Sequence, residues 1–481
     1  MPELFRFSAS DDARPTGVVV AVQLPGVDDA ELDSSLRELE RLATTLGIDV
    51  VGHVTQRRGS LAAGKVLGDG KLKELAAWTG GSGVVPVFAK PGKRKKKEDE
   101  EGDGEGEADA EVVDGDAEQA ATSEDAGAEA GAGGPPPGVK AEVVLVDHEL
   151  TPTQQRNLER ATGVDVLDRA SVILEIFHRH AKTREARLQV EIARLKYLAP
   201  RLRESAGGED RVRGGVGGKG AGESSLELDR RRIRDRIAEL RAELAQIEGT
   251  SQVRRGRRGD LPTVALVGYT NAGKSSLMRA LTGSEVYVAD KLFATLDTTV
   301  RVLEPRSHPP VLVSDTVGFI KKLPHDLVAS FRSTLEEAAE ADLVLHIVDA
   351  SDPAFRTHMA VTLEVLGDLG ADADQLLILN KIDRVDDAGR ARLADDLPGA
   401  VQMSAKRRDD VLALRDRIVA RFEGELEEDD LHVPWALHRL VHTIHENARV
   451  LTEDHNESGT SLRVRAPSRT LARLRAELDA G

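Results

Sequence analysis

The 481-residue chain contains no cysteine, which excludes disulfide staples, thiolate nucleophiles and cysteine-ligated metal centres. Aromatic residues make up only 3% of it, so its cores must be built from aliphatic side chains. No uninterrupted apolar stretch approaches the length of a membrane span, and the N-terminus lacks a basic-then-apolar leader pattern; a soluble, cytoplasmic protein without a transmembrane segment is expected. Bulky apolar residues are nearly missing from 98–129, which holds fifteen Asp and Glu and no Lys or Arg. Together with the GAGGPPPG that follows, this stretch reads as a disordered acidic insertion at about 90–140. Without residues 98–129 the net charge of −17 becomes −2, so the body of the chain is not acidic. The run KPGKRKKK just before it is read as pairing with the acidic stretch in preference to nucleic acid.

What the chain does contain is a phosphate loop. Gly268-Tyr269-Thr270-Asn271-Ala272-Gly273-Lys274-Ser275 fits G-x-x-x-x-G-K-[ST] without a mismatch. The apolar, β-branched TVALV precedes it and the helix-like SSLMRAL follows, the strand-to-helix setting that the motif requires. Gly268 and Gly273 let backbone N–H groups wrap around phosphates, and the helix dipole adds positive potential. Lys274 is placed to neutralise β- and γ-phosphate charge, and Ser275 to put its hydroxyl on Mg²⁺. Downstream, Asp315-Thr316-Val317-Gly318 closes the strand VLVS, bringing Asp315 to the metal and the Gly318 N–H to the γ-phosphate. Asn380-Lys381-Ile382-Asp383 then supplies a base site. The Asp383 carboxylate can accept from guanine N1–H and N2–H, which adenine cannot offer, a discrimination of roughly 10⁴ to 10⁵ when such a group would otherwise be left unpaired. Asn380 and the Lys381 stem support the base, and Ser404-Ala405-Lys406 adds a backbone contact to O6.

The segment Phe293-Ala294-Thr295-Leu296-Asp297, with Thr298 and Thr299 after it, must supply the second protein ligand to Mg²⁺. Spacing does not choose among the threonines; similarity to FATL-type switches points to Thr295. The reading is therefore Mg²⁺ on Ser275, Thr295 and Asp315, with Lys274, Thr295 and Gly318 as the catalytic groups. Where Ras-type proteins place a water-orienting Gln after DxxG, this chain has Phe319, so intrinsic turnover is expected to be slow. Asn271 has two readings, as a ligand to a potassium ion or as a loop-shaping residue.

Outside these motifs the pattern indicates a multidomain α/β protein. Strand and helix signals alternate through 1–169, which reads as an α/β domain with a mostly parallel sheet. Gly68 to Lys71 is taken as a helix start in preference to a phosphate site. In 170–250, Leu188, Ile192, Leu195 and Leu202, and then Leu226, Ile233, Ile237, Leu240, Leu244 and Ile247, recur at spacings of three, four and seven. They predict a long antiparallel helical hairpin with a glycine-rich tip at 205–222 that carries Arg211, Arg213 and Lys219. Residues 178–258 hold twenty-one Lys and Arg against twelve Asp and Glu, which favours RNA phosphates as the hairpin's target. A P-loop GTPase domain with a mostly parallel sheet spans 260–424, and a small α+β domain 428–481. There His438, His442 and His445 share a helical face, read as a polar surface in preference to a zinc site; His432 and His455 lie nearby.

DHELTPTQQRNLE (147–159), VLDRASVILEIFHRHAKTREARLQVEIARLKYLAPRL (166–202) and GGVGGKGAGESSLELDRRRIRDRI (214–237) resemble the HflX family of ribosome-associated GTPases. The likeness covers nearly the whole chain outside the acidic insertion, although Lys219, Ala221 and Ser224-Ser225 depart from the family's glycine-rich signature. It implies an N-terminal α/β domain with a helical hairpin, a central G domain and a small C-terminal domain. It also implies nucleotide-dependent binding to the large ribosomal subunit, through ribosomal RNA at the hairpin and a ribosomal protein at the C-terminal domain, and dissociation or rescue of stalled or idle ribosomes, or ribosome biogenesis. The chain is expected to act as a monomer. Two competing functions are a GTP-regulated scaffold with a protein or membrane partner, and an RNA-remodelling NTPase with a second nucleotide site in the N-terminal domain.

Overall fold

The computed structural model describes residues 14–62, 64–85, 135–205, 225–256, 261–283, 292–293, 299–307, 309–321, 339–370, 373–424 and 426–479. The acidic insertion, the basic run before it, Arg211, Arg213 and Lys219 of the tip, and Ala294 to Thr298 lie outside the described residues.

Four short strands, β1 (Thr16–Gln23), β2 (Asp49–Arg57), β3 (Val143–Val146) and β4 (Asp165–Asp168), form a parallel sheet in the order β2-β1-β3-β4. β1 and β3 are buried on both faces and accordingly read as continuous Val and Leu runs, as a covered parallel sheet requires. Helix α1 (Asp29–Leu46) starts where the Asp28 side chain accepts from Glu31 N and stops at the left-handed Gly47. Helix α2 (Asp69–Thr79) begins at Gly68. The Gly68 N–H donates to Gln56 Oε1 at 2.8 Å and Lys71 Nζ pairs with Glu74 at 2.8 Å, and Gly68 stands as the N-cap of α2, so the 68–71 loop is a helix start. A capping box of Thr151 and Gln154 opens α3 (Pro152–Thr162). Asp168 closes β4 and caps α4 (Arg169–His180) through Ser171 N.

Helices α5 (Arg184–Ser205) and α6 (Ser225–Gly256) lie side by side. Leu188, Ile192, Leu195 and Leu240 form their buried seam, flanked by Ile233, Ile237, Leu244 and Ile247. Arg184 clasps Glu243 with two bonds of 2.7 Å, and Arg236 reaches Glu191 at 3.1 Å. Numbers rise on one helix as they fall on the other, so the helices run in opposite directions. Leu202 is half-buried, and the side chains at the start of α6 lie outside the described residues. The tip-proximal end of α5 is held by one carboxylate: Asp168 accepts from Tyr197 Oη at 2.8 Å and from Arg201 Nη2 at 3.0 Å, while Arg201 also donates to Leu150 O.

The second sheet has the order β10-β9-β8-β5-β7-β6. It contains β5 (Thr263–Gly268), β6 (Thr299–Val302), β7 (Leu312–Asp315), β8 (Leu343–Asp349), β9 (Asp374–Asn380) and β10 (Val401–Gln402). All pairs are parallel except β6 with β7. Its helices are α7 (Lys274–Thr282), α8 (Phe355–Asp368), α9 (Asp387–Asp396) and α10 (Arg408–Glu423). A three-stranded antiparallel sheet follows, built from β11 (Glu427–Pro434), β12 (Arg449–Asn456) and β13 (Gly459–Ala466) with α11 (Arg439–Asn447) and α12 (Ser468–Asp479). The acidic strand β11 is not signalled by residue type, since Glu and Asp are poor strand formers. It forms because Leu431 and Val433 alternate into the core against β13. Among the described residues no helix is long and apolar enough to cross a membrane.

Among the described residues of α6, Leu240 is the most deeply buried in the seam. Leu240→Ala should remove roughly 2 to 5 kcal/mol and lower hydrogen-exchange protection along α5 and α6 while β5, β8 and β9 keep theirs. Unchanged protection in both helices would show that the seam does not hold them together.

Candidate functional site

The octapeptide lies where the sequence places it, between β5 and α7. Gly273 caps α7 in a left-handed conformation, and a Cβ there would stand 2.3 Å from Asn380 Nδ2; no other residue fits. The Asn380 amide fills that space because it ties the base loop to the phosphate loop, donating to Ala272 O at 2.8 Å and accepting from Ala405 N at 3.0 Å. Lys381 adds a second tie, donating to Asn271 O and to Asp349 Oδ2, both at 2.7 Å. Phosphate loop, NKID and SAK thus form one connected rim. Asp383 is exposed at its edge, and a hydrogen bond from Ser404 holds its carboxyl below the usual range.

Lys274 is buried, with Nζ donating to Gly268 O at 2.9 Å and Tyr269 O at 2.8 Å. Burial pushes its pKa down to about 8, helped by Lys381 and opposed by Asp315. Ser275 Oγ donates to Asp315 Oδ2 at 2.8 Å. A hydroxyl and a carboxylate side by side are hard oxygen donors that suit Mg²⁺. Thr316 is turned away, its hydroxyl bonded to Leu266 O, and Ile382 and Val317 are buried.

The segment after Asp315 leans on the phosphate loop. Thr270 N donates to Phe319 O at 2.7 Å and Phe319 N to Gly268 O at 3.2 Å. A Cβ on Gly318 would be 3.0 Å from Lys274 Nζ and 2.9 Å from Thr270 Cγ2, so only glycine brings its backbone this close. The Phe319 ring is buried and offers nothing that could orient water. Of the segment 293–297, Phe293 alone is described. Its backbone is left-handed, and its ring meets Phe177 of α4 edge-on at 4.6 Å, so the side chain anchors that segment to the N-terminal unit.

Asp349 was not singled out by the motifs. It closes the apolar strand β8 as Asp315 closes β7, and that shared pattern could have found it. Besides Lys381 it holds Ser351 Oγ at 2.6 Å. Asp410 likewise fixes the SAK loop by accepting from Ser404 N at 2.8 Å. Of the five C-terminal histidines, His442 and His445 pair with Glu446 and Glu453, His432 contacts Ser461, His455 contacts Thr460, and His438 packs on Trp435.

Three family models match in turn: "GTP-binding GTPase N-terminal" over 33–88 and 137–178, "GTP-binding GTPase Middle Region" over 180–258, and "50S ribosome-binding GTPase" over 263–381. A GTPase HflX of Gluconacetobacter diazotrophicus is 56% identical over 471 residues, covering 97% of this chain and 98% of its own. The chain belongs to the HflX family of GTPases. HflX proteins of Caldanaerobacter subterraneus and Escherichia coli K12 are 36% and 41% identical, covering 95% and 68% of this chain and 92% and 78% of theirs. A Sulfolobus solfataricus GTP-binding protein solved in complex with GDP is 20% identical, covering 84% of this chain and 99% of its own, with a TM-score of 0.40. As an HflX GTPase the chain binds and hydrolyses GTP.

The buried Lys274 gives GTP binding a pH dependence. Phosphate favours the charged amine, so binding above a pKa of about 8 must take up a proton, and affinity falls as pH rises. Between about pH 7 and pH 8.8 the dissociation constant of a fluorescent GTP analogue should rise roughly sixfold. A flat profile over that range would mean that Lys274 is already charged throughout.

Proposed function

We propose that this GTPase associates with the large ribosomal subunit in a nucleotide-dependent way, in the cytoplasm and as a monomer, and dissociates or rescues stalled or idle ribosomes. The observation that carries the proposal is that the basic hairpin and the nucleotide switch meet at one dipeptide. Asp168 grips α5 through Tyr197 and Arg201, and the next residue, Arg169, donates to Lys321 O three residues beyond Gly318. A movement of the DTVG segment therefore acts directly on the end of α5 that leads into the glycine-rich tip. The match of 263–381 to "50S ribosome-binding GTPase" supports the choice of partner. The exposed Arg232, Arg234 and Arg241 on α6 suit ribosomal RNA phosphates, and the C-terminal unit is assigned to a ribosomal protein.

In the proposed mechanism Asp383, Asn380, Lys381 and Ser404 to Lys406 select guanine, and the phosphate loop from Gly268 to Ser275 cradles the phosphates. Ser275, Asp315 and Thr295 hold Mg²⁺, which when bound neutralises charge on the β- and γ-phosphates. Water attacks the γ-phosphorus, the bond to the β-phosphate oxygen breaks, and inorganic phosphate and GDP leave. Lys274 and the Gly318 N–H stabilise the charge that develops. Phe319 leaves water positioning to another group, and a completing group from a partner adds roughly 10³ to 10⁵ in rate; the ribosome is that partner. Asn271 has two proposed roles, holding a potassium ion as a supplementary positive charge or shaping the loop, and equal rates in potassium and sodium buffers would remove the first.

The test is GTP hydrolysis with and without large ribosomal subunits, together with cosedimentation in a non-hydrolysable GTP analogue and in GDP. Stimulation of at least about tenfold and analogue-dependent cosedimentation are expected, with cosedimentation weakened when Arg211, Arg213 and Lys219 are neutralised. Equal rates and no cosedimentation would sink the ribosomal assignment and favour the scaffold.

A further inference from the structure

The network around Arg169 lies outside the nucleotide motifs except at Tyr269 of the phosphate loop, and it ends at Lys321, three residues past DTVG. Arg169 is 2% exposed. Its Nη1 donates to Asp147 Oδ1 at 2.6 Å, its Nη2 to Glu38, and its Nε to the backbone carbonyl of Lys321 at 3.2 Å. Ser35 donates to the other Asp147 oxygen at 2.6 Å. From the nucleotide side, the Tyr269 hydroxyl donates to the second Glu38 oxygen. A phenol has one hydrogen to give, so with Glu38 receiving it the Tyr269 oxygen must face Lys321 as an acceptor. Lys321 N indeed donates to it at 2.7 Å. Both backbone polar groups of Lys321 are thus held, its N–H by Tyr269 of the phosphate loop and its C=O by Arg169 of the N-terminal unit.

We propose that Tyr269 and Arg169 are positioning residues for GTP hydrolysis: they clamp the backbone at Lys321 so that Gly318 stays against Thr270 and Lys274. Between the clamp and Gly318 only Phe319 and Ile320 intervene. Both are buried, and Phe319 is paired with the phosphate loop at each of its backbone groups, so the segment has little freedom once its far end is fixed. Glu38 acts at one remove by setting the direction of the Tyr269 hydroxyl. The ring itself is fixed by stacking on His358 of α8, 3.9 Å between centroids and 12° from parallel. Burial, reinforced by Glu38, raises the phenol's pKa, so it remains a donor at neutral pH. A donor must be held before the reaction to stabilise charge without reorganising. The clamp supplies that for the Gly318 N–H, in a protein whose Phe319 cannot assist.

The test uses the full chain and intrinsic single-turnover GTP hydrolysis without ribosomes, so its outcome does not depend on the ribosomal assignment. Tyr269→Phe keeps the ring, its stacking and its volume while deleting the hydroxyl. Arg169→Lys keeps the charge but cannot serve Asp147, Glu38 and Lys321 together. Each should lower the hydrolysis rate at saturating GTP at least about tenfold, a fraction of the roughly 10² to 10³ that a mispositioned oxyanion donor costs. Affinity for fluorescent GDP should stay within about threefold of the parent. The double variant should be no slower than the slower single, because both act on one residue. Hydrogen exchange at 317–321 should rise in both. If Arg169→Lys fails to fold, Tyr269→Phe decides alone. A folded Tyr269→Phe protein that hydrolyses GTP within about twofold of the parent, or that loses nucleotide affinity with its saturated rate intact, overturns the proposal.

Discussion

A guanidinium cannot be taken out of water without partners, and Arg169 is 2% exposed. Removing two opposite charges from water costs several kcal/mol per ion and is offset only when geometry and further hydrogen bonds are good. Here the partners come from separate parts of the chain: Glu38 from α1, Asp147 from the end of β3, and the Lys321 carbonyl from beyond the DTVG loop. One guanidinium faces two carboxylates, and the excess negative charge is spread by the hydroxyl donors of Ser35 and Tyr269. Burial lowers the arginine's pKa, Glu38 and Asp147 raise it more, and the net shift is upward. The N-terminal sheet, the phosphate loop and the segment after Gly318 must therefore be in register at once, since losing any partner leaves a buried charge exposed to the cost of desolvation.

Around that point the core is continuous from the N-terminal unit into the nucleotide-binding unit. Phe177 and Val172 of α4 share one apolar cluster with Tyr269, Phe293, Phe319 and Ile320. Non-directional apolar contact of this kind supplies most of the attraction, but it tolerates sliding. The ion network sets the register. It lies beside a cleft of about 480 Å³ bounded by Arg37 and Arg41 of α1, Thr270 and Asn271 of the phosphate loop, and Leu292 and Lys321. The N-terminal unit thereby walls the phosphate loop without covering the guanine rim, where Asp383 stays exposed.

How much of this could be read from residues alone follows from how local each feature is. The strand-to-helix setting of the phosphate loop is written in adjacent residues, and β5 and α7 flank it as TVALV and SSLMRAL indicate. The alternation that gives β1 to β4 and α1 to α3 is equally local. The Asn380 amide against Gly273 joins positions more than a hundred residues apart, yet the motif itself marks both ends. Nothing marks the ends of the Arg169 network. Glu38 and Tyr269 are separated by 231 positions, with no periodicity to link them. The available signals were compositional: an arginine inside the apolar run VLDRASVILEIF, and a glutamate flanked by Leu36, Leu39 and Leu42 on a helix face that buries. Strand β11 escaped for a different reason, because its period-two burial is masked by four consecutive acidic residues whose side chains face solvent or arginines such as Arg463 and Arg475.

Asp168 and Arg169, adjacent in the chain, hold two different parts of the molecule. Asp168 closes β4, caps α4 and anchors Tyr197 and Arg201 of α5. Arg169 begins α4 and reaches the switch. Consecutive residues at a strand-to-helix turn point in different directions, so one rigid corner can hold two partners that never touch each other. Burial and the neighbouring Asp168 raise the pKa of Tyr197 well above that of a free phenol, which keeps the α5 anchor a neutral donor over the physiological range. The corner has little room to relax, since β4 is paired to β3 along its length and α4 is packed into the shared core. A displacement at Lys321 is then accommodated either by breaking the Arg169 bonds or by tilting the corner as a unit. The first leaves Glu38 and Asp147 short of a partner in a buried site, at a cost of several kcal/mol. The second moves α5 with it, because Asp168, the residue before Arg169, holds Tyr197 and Arg201.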